Sequence, residues 1–180
     1  NATHSEVFSR LDGATSTSSA IEHEGSYAYA QGSGWQAVEL PYSGDQTSMV
    51  VVLPDAGKFA SVEAGLSGDF VTGVFAGLQG REVDVTLPKF GIHGGTISLK
   101  PQLQKLGMVA AFDAAQADFS AMSSEHLWVG DVLHQAFVKV DESGTEAAAA
   151  TAVTMLGGAA PPTDLVHFDA NRPFLFFIRD

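Results

Sequence analysis

The sequence predicts a β-rich α+β fold whose strands are grouped into more than one sheet. Two observations support this: several short segments alternate between apolar and polar residues, and only two short segments have helical character. Hydrophobic residues make up 45% of the 180 residues and charged residues 17%, as in a folded domain. The length suits one domain or a large part of one, and no linker or internal repeat divides the chain.

The first elements are predicted from turn signals and alternation. Residues 1–30 are expected to be loop-like, because DGATSTSS is rich in turn-forming residues. The next segment predicts a β-hairpin with strands over 35–40 and 48–53. Its turn would contain Pro41, Gly44 and Asp45.

The middle of the chain mixes helix and strand signals. A weak helix is predicted over 70–78. The sequence REVDVTLPKF then alternates, which places Val83, Val85 and Leu87 on one face of a strand. The sequence SLKPQLQKLGM predicts a short helix that ends at Gly107 in a left-handed conformation.

The clearest strand signal is GDVLHQAFVKVDE. Its alternation predicts one continuous strand with two faces: Val132, His134, Ala136, Val138 and Val140 on one, and Leu133, Gln135, Phe137 and Lys139 on the other. His134 is therefore expected to be a hydrogen-bonded core histidine and not a general base. A last apolar strand is predicted in RPFLFFIRD.

Charge and cysteine content exclude several functions. The net charge of −12 at pH 7 argues against binding to nucleic acid or anionic membranes, which both attract basic surfaces. The chain has no cysteine, which excludes disulfides and thiol catalysis but leaves the compartment open. No apolar run approaches the length that spans a membrane.

Motifs of catalysis are also absent from the sequence. It contains no G-x-S-x-G, H-E-x-x-H or phosphate-binding glycine loop. The sequence EHE at 22–24 could contact a metal, but no second ligand cluster follows it, so a solvated turn is expected. Asp141 and Glu142 are neighbours on a strand and point to opposite faces. We therefore expect neither enzyme activity nor a metal or other cofactor.

The segment after the clearest strand signal, VDESGTEAAAATAVTM, has conflicting local preferences. Alanine favours helix, whereas valine and threonine favour strand. The segment is therefore suited to more than one conformation.

Six blocks of this chain, taken in order, resemble the serpins, a family of serine-protease inhibitors: VELPYSGDQTSMVVVLP, VTLPKF, LQKLGM, ADFSAM, HQAFVKVDESGTEAAAAT and FDANRPFLFFIRD. A serpin is longer than this chain. The resemblance thus implies that 1–180 is the C-terminal part of a single serpin domain, a multi-sheet, β-rich α+β fold with few helices and a reactive-centre loop, incomplete on its own. The remaining N-terminal part of the domain is an expected partner.

The resemblance also implies a mechanism. A target serine protease would cut an exposed loop at about 142–162 and become trapped as an acyl-enzyme, while the hinge inserts into the central sheet as a new strand. This is suicide inhibition with a large conformational change. The implied hinge residues are Glu142, Gly144, Thr145, Glu146, Ala147, Ala148, Ala149 and Ala150.

The bait bond follows from counting along the loop. Counting from Glu142 places it at Gly158–Ala159, and counting back from NRPF places it at Ala159–Ala160. Cleavage after Leu156 is a further alternative. No Arg or Lys occurs between Lys139 and Arg172, so elastase-like, subtilisin-like or chymotrypsin-like targets are expected.

Two further roles are implied by the resemblance. Glu142 is expected to pair with Lys89 of LPKF, and His134 is expected to belong to the hydrogen-bond cluster that controls opening of the central sheet. A secreted, extracellular protein is expected over a cytoplasmic one. The alternative functions are a non-inhibitory serpin-like carrier or chaperone, and an inactive cleaved fragment.

Overall fold

The computed structural model describes residues 2–44, 46–141 and 165–180. These residues form eleven strands: β1 (Ala2–Ser9), β2 (Thr15–Gly32), β3 (Trp35–Pro41), β4 (Ser48–Pro54), β5 (Gln79–Pro88), β6 (Phe90–His93), β7 (Ile97–Ser98), β8 (Leu133–His134), β9 (Phe137–Val140), β10 (Val166–Asp169) and β11 (Leu175–Arg179). The helices are α1 (Phe59–Ala64), α2 (Gly68–Ala76) and α3 (Lys100–Lys105), with one 3-10 turn at Ala110–Phe112.

The chain divides into two compact units. The first comprises Asn1–Phe90 and Val140–Asp180, and the second comprises Gly91–Lys139. The first unit contains a seven-stranded sheet in the order β10-β5-β2-β3-β4-β11, with β1 added to β2. In the second unit, β7 pairs with β8. Strands β6 and β9 also pair with each other, and all their residues except Phe90 and Val140 belong to the second unit. The prediction of a β-rich fold with several sheets and few helices is confirmed.

The centre of the first unit is the 18-residue strand β2. It pairs antiparallel with β1 over residues 15–22, with β5 over 20–29 and with β3 over 28–32. One strand therefore belongs to three ladders, so its backbone position fixes β1, β3 and β5 together.

The predicted β-hairpin is confirmed as β3 and β4, which pair from Trp35–Pro54 to Pro41–Ser48. In the turn, the Tyr42 N–H donates to the Thr47 carbonyl oxygen at 2.9 Å, and Gly44 has a φ of +90°. Every residue of β4 is buried; β3 and β11 pair with its two edges, and α2 packs against Val50 and Val52. Asp45 lies outside the described residues.

Helix α2 covers one face of this sheet. The side chains of Trp35 and Phe70 meet edge to face with ring centroids 5.6 Å apart, and Val74 is 1% exposed. The predicted helix over 70–78 is confirmed, but it begins and ends two residues earlier. Its start is displaced because the Ser67 hydroxyl accepts a hydrogen bond from the Phe70 N–H at 3.1 Å and caps the helix.

The prediction that residues 1–30 are loop-like is wrong, since β1 and β2 form a long hairpin there. The Asp-Gly pair marks only its turn, in which the Asp12 carboxylate accepts from the Ala14 N–H at 3.0 Å and Gly13 has a φ of +80°. The Ser and Thr residues that follow this turn suggest a loop in the sequence because they lie on an exposed part of β2. Pairing with β1 satisfies their backbone groups and holds them as strand.

In β5 the predicted alternation is confirmed, with Val83, Val85 and Leu87 at most 5% exposed. Gly107 ends α3 with a φ of +99°, as predicted. Strand β11 occupies the last apolar segment, also as predicted.

The continuous strand predicted over 132–140 is wrong. Two short strands, β8 and β9, stand there, and the carbonyl oxygen of Ala136 between them accepts from the Gly94 N–H at 2.9 Å. Leu133 and Phe137 are 67% and 71% exposed. In the part of the chain that the structure describes, no layer covers this stretch, so the alternating pattern does not produce a buried face.

Candidate functional site

The candidate site is the segment between β9 and β10, together with the residues that hold its two ends. The predicted hinge and bait residues lie outside the described residues, and their roles remain predictions: Glu142, Gly144, Thr145, Glu146, Ala147, Ala148, Ala149, Ala150, Leu156, Gly158, Ala159 and Ala160. The residues of the site that can be described are therefore those that flank the segment: the end of β9 on one side, and β10 with the residues after it on the other.

On the upstream side, β9 ends at Val140, which is 9% exposed. Asp141 follows it and is half-buried. Lys89 is also half-buried, and its backbone N–H donates to the carbonyl oxygen of Ser19 at 2.8 Å, which fixes the junction after β5. The expected pairing of Lys89 with Glu142 stays a prediction, because Glu142 is outside the described residues.

His134 was expected in a core, and that expectation is wrong. It is exposed in β8, where it stands opposite Ile97 of β7. Among the described residues, no layer covers His134 or its neighbours Leu133 and Phe137. Its expected role in controlling the opening of a central sheet stays a prediction.

On the downstream side, β10 is held by β5. The two strands run parallel, with Val166 opposite Val83 and Phe168 opposite Val85. Phe168 is fully buried, and burying an aromatic ring of this size contributes about 2–3 kcal/mol to the stability of the strand's attachment. The Ala170 N–H then donates to the Thr86 carbonyl oxygen at 2.9 Å.

The segment after β10 is fixed by side-chain hydrogen bonds. The Arg172 guanidinium donates through Nε to the carbonyl oxygen of Pro54 at 2.8 Å and through one Nη to the carbonyl oxygen of Asp169 at 3.4 Å. The Asn171 side-chain amide donates to the Asp169 carboxylate at 2.6 Å, and the Asn171 main-chain carbonyl oxygen accepts from the Ser9 N–H at 2.8 Å. These bonds join β10 to β4 and to the end of β1.

A carboxyl pair adds to this anchor. The side chain of Glu6 in β1 is hydrogen-bonded to Asp169, and burial, followed by this contact and the charge of Asp169, raises the pKa of Glu6 to about 7. Sequence reasoning missed the pair because 163 positions separate the two residues and no local pattern links them. Glu6 stands in the region that was predicted to be a loop.

The described residues form no cluster of metal ligands. Among them, no group of three or more His, Asp or Glu side chains is placed to hold a metal ion. No described helix has the length and apolar character needed to cross a membrane. The described residues on either side of the segment between β9 and β10 hold its two ends.

Comparison with known proteins identifies related chains. The family described as Serpin (serine protease inhibitor) matches residues 1–180. Human antithrombin-III is 38% identical over 183 aligned residues, which cover 99% of this chain and 39% of antithrombin. Intracellular coagulation inhibitor 2 of Tachypleus tridentatus is 41% identical over 154 residues, which cover 84% of this chain and 37% of that protein.

The fold is matched by solved structures. The native state of the thermophilic serpin tengpin superimposes with a TM-score of 0.75 at 29% identity, and the match covers 98% of this chain and 46% of that chain. The chain thus spans less than half the length of each of these three relatives.

Proposed function

This chain belongs to the serpin family, a family of serine protease inhibitors and not of enzymes, and we propose that it is the C-terminal part of a single serpin domain, spanning 1–180, that inhibits a serine protease as a suicide substrate. The target cuts the loop at 142–162 and is trapped as an acyl-enzyme while the hinge inserts into the central sheet. The N-terminal part of the domain supplies the remaining strands. The proposal is supported chiefly by one observation: the small-residue segment connects two strands that each contain a buried residue, Val140 at the end of β9 and Phe168 within β10.

The hinge residues suit insertion. Gly144 supplies backbone freedom where the segment leaves and later rejoins a sheet. In an inserted strand, alternate residues face the same side. If Glu146 faces solvent, then Ala148 does too, and Ala147 and Ala149 enter the packed interior, where a methyl group meets no steric clash.

The bait is proposed at Gly158–Ala159, with cleavage after Leu156 or Ala159 as alternatives. Small or aliphatic residues suit proteases with shallow or apolar specificity pockets. The target is therefore proposed to be elastase-like, subtilisin-like or chymotrypsin-like.

The test uses the full-length protein, mixed separately with an elastase, a subtilisin and a chymotrypsin. Denaturing gels should show a covalent complex with at least one of them, and mass spectrometry should find a C-terminal peptide that begins near Ala159. Clean cleavage without a complex would show a substrate and would favour the alternative of a non-inhibitory carrier or chaperone. Resistance to all three proteases, without cleavage, would contradict the proposed bait.

A matched pair of variants tests the insertion step. We expect Ala149→Glu to convert the inhibitor into a substrate, because a charge would have to enter the sheet interior at a cost of several kcal/mol. Ala148→Glu, one residue away, should keep most complex formation because its side chain faces solvent. Equal behaviour of the two variants would sink the proposed register of the inserted strand.

The compartment is proposed to be extracellular. Membership of the family does not settle it, since one relative is named as an intracellular inhibitor. Measuring the full-length protein in culture medium and in cell lysate distinguishes the two locations.

A further inference from the structure

The outer face of strands β1, β2, β5 and β10 is strongly acidic. Residues that stand opposite each other in the ladders share a face, as Glu24, Asp84 and His167 do. By this register the face carries six carboxylates and two imidazoles: Glu6, Glu22, Glu24, Glu82, Asp84, Asp169, His4 and His167. None of the described strand residues on this face is Lys or Arg. Protons are therefore the cations that its own side chains can carry.

Three side-chain contacts cross between strands on this face. His4 Nδ1 lies 3.5 Å from Glu22 Oε2 and joins β1 to β2. His167 Nδ1 lies 3.2 Å from Asp84 Oδ2 and joins β10 to β5. The hydrogen bond between Glu6 and Asp169 joins β1 to β10.

The carboxyl pair is the strongest of the three contacts. Asp169 Oδ2 accepts from Asn171 at 2.6 Å, but Asp169 Oδ1 is buried, and no N–H or hydroxyl of the described residues donates to it. Two carboxyl groups can hydrogen-bond only when one of them carries a proton, so the contact between Glu6 and Asp169 requires a proton at this partly buried carboxylate. By contrast, the two histidine pairs are largely exposed and contribute little.

We propose that Glu6 and Asp169 share a proton that clasps β10, the strand after the loop segment, to β1, and that loss of this proton as the pH rises loosens β10. The Ser9–Asn171 backbone bond at 2.8 Å holds the same two segments together but does not titrate. Arg172 stays charged throughout and bonds to main-chain oxygens beside the pair.

The direction of the pH effect follows from linkage. Burial and the neighbouring charges of Asp169 and Glu22 raise the pKa of Glu6 from 4.5 to about 7, against the opposing effect of His4. The folded state thus binds this proton more tightly than the unfolded chain does. Its stabilisation is complete below pH 4.5 and is lost as the pH rises through about 7.

This inference goes beyond the proposed function. The clasp fixes the downstream end of the loop segment whether or not that segment traps a protease. Its test therefore measures the attachment of β10 and not inhibition.

The experiment is hydrogen–deuterium exchange of the full-length protein at pH 5 and pH 8, with rates corrected for the intrinsic pH dependence of exchange. Backbone amides of β10 should be roughly ten to a hundred times more protected at pH 5, as the change in proton binding requires. Amides of β3, which β5 and β2 separate from β10 in the sheet order, serve as the internal reference. Equal protection of β10 at both pH values would overturn the proposal.

Two variants and one titration complete the test. Glu6→Gln keeps a donor for Asp169 at every pH, so its β10 protection at pH 8 should match the wild-type value at pH 5. Glu63→Gln, on the exposed side of α1, makes the same chemical change elsewhere and should leave the wild-type pH dependence unchanged. In the wild-type protein, carbon NMR of the Glu6 carboxyl should show titration near neutral pH. Titration near 4.5, or an unaltered pH dependence in Glu6→Gln, would refute the clasp.

Discussion

At the scale of single residues, Arg172 links distant parts of the first unit. It lies 118 positions from Pro54, whose buried carbonyl oxygen accepts its Nε–H. A hydrogen bond from a charged donor is stronger than one between neutral groups. Arg172 therefore ties the segment after β10 to the end of β4.

We expect Arg172→Ala to destabilise the full-length protein by about 2 kcal/mol, because the buried carbonyl oxygen of Pro54 loses its donor. Arg10→Ala is the matched control, since Arg10 makes an exposed ion pair with Asp12 at 3.1 Å and should change stability by less than about 1 kcal/mol. Urea unfolding measures both variants. Similar losses in the two would show that the bond to Pro54 contributes nothing specific.

Residue-level prediction from sequence succeeds where the cause is local. The left-handed Gly107 and the buried Val83, Val85 and Leu87 follow from turn chemistry and alternation. The Glu6–Asp169 pair depends on a fold that brings residues 6 and 169 together, so no short window contains its signal.

At the scale of elements, helix ends and helix interiors give opposite expectations for the same substitution. Gly107 lies just after α3 with a φ of +99°, where a side chain is strained. Gly73 lies inside α2, and a methyl group there would meet no atom within 4 Å beyond its chain neighbours and the helix's own backbone.

Gly107→Ala should therefore destabilise the full-length protein by about 1–2 kcal/mol, the cost of a left-handed alanine. Gly73→Ala should stabilise it by about 0.5–1 kcal/mol, because alanine loses less backbone entropy in a helix. Thermal unfolding of the two variants beside the wild type checks the signs. A stabilising Gly107→Ala would contradict the assigned conformation.

Element types can be predicted where the signal lies within one segment, and not where it depends on pairing or covering. The hairpin of β3 and β4 and the strands β5 and β11 follow from their alternation or apolar runs. The hairpin of β1 and β2 did not, because its Ser and Thr residues are strand only through their pairing. The break between β8 and β9 likewise depends on what covers the strand, which alternation alone cannot reveal.

At the scale of the whole molecule, the second unit leaves large apolar side chains in solvent. Leu106 is 83% exposed, Met122 79% and Phe137 71%. Exposed apolar surface of this kind marks an interface or an aggregation site. Since the chain spans 39% of antithrombin-III, we expect the rest of a serpin domain to cover it.

Expressed alone, the 180-residue chain should bind a hydrophobic dye such as ANS and self-associate. The full-length protein at equal molarity should do neither. Dye fluorescence and light scattering measure the difference. A monomeric, dye-free fragment would show that the second unit has no need of further cover.

Cutting the loop of the full-length protein should raise its thermal midpoint by about 10 °C or more. An inserted strand adds several kcal/mol to the free energy of unfolding, and each kcal/mol shifts the midpoint by about 2–4 °C. The thermal midpoint of a non-inhibitory carrier or an inactive product should change little after cleavage. Calorimetry before and after limited elastase digestion measures this. An unchanged midpoint after complete cleavage of the loop would argue against insertion.

The neighbours of β4 also impose an order on synthesis. Val51 in this fully buried strand pairs with Phe176 of β11, so one edge of β4 stays bare until residues far downstream emerge from the ribosome. At ordinary translation speeds that interval is about ten seconds, long compared with the collapse of a chain. During it the nascent protein presents an apolar, unpaired edge, which makes β4 the segment that a ribosome-associated chaperone would have most reason to shield.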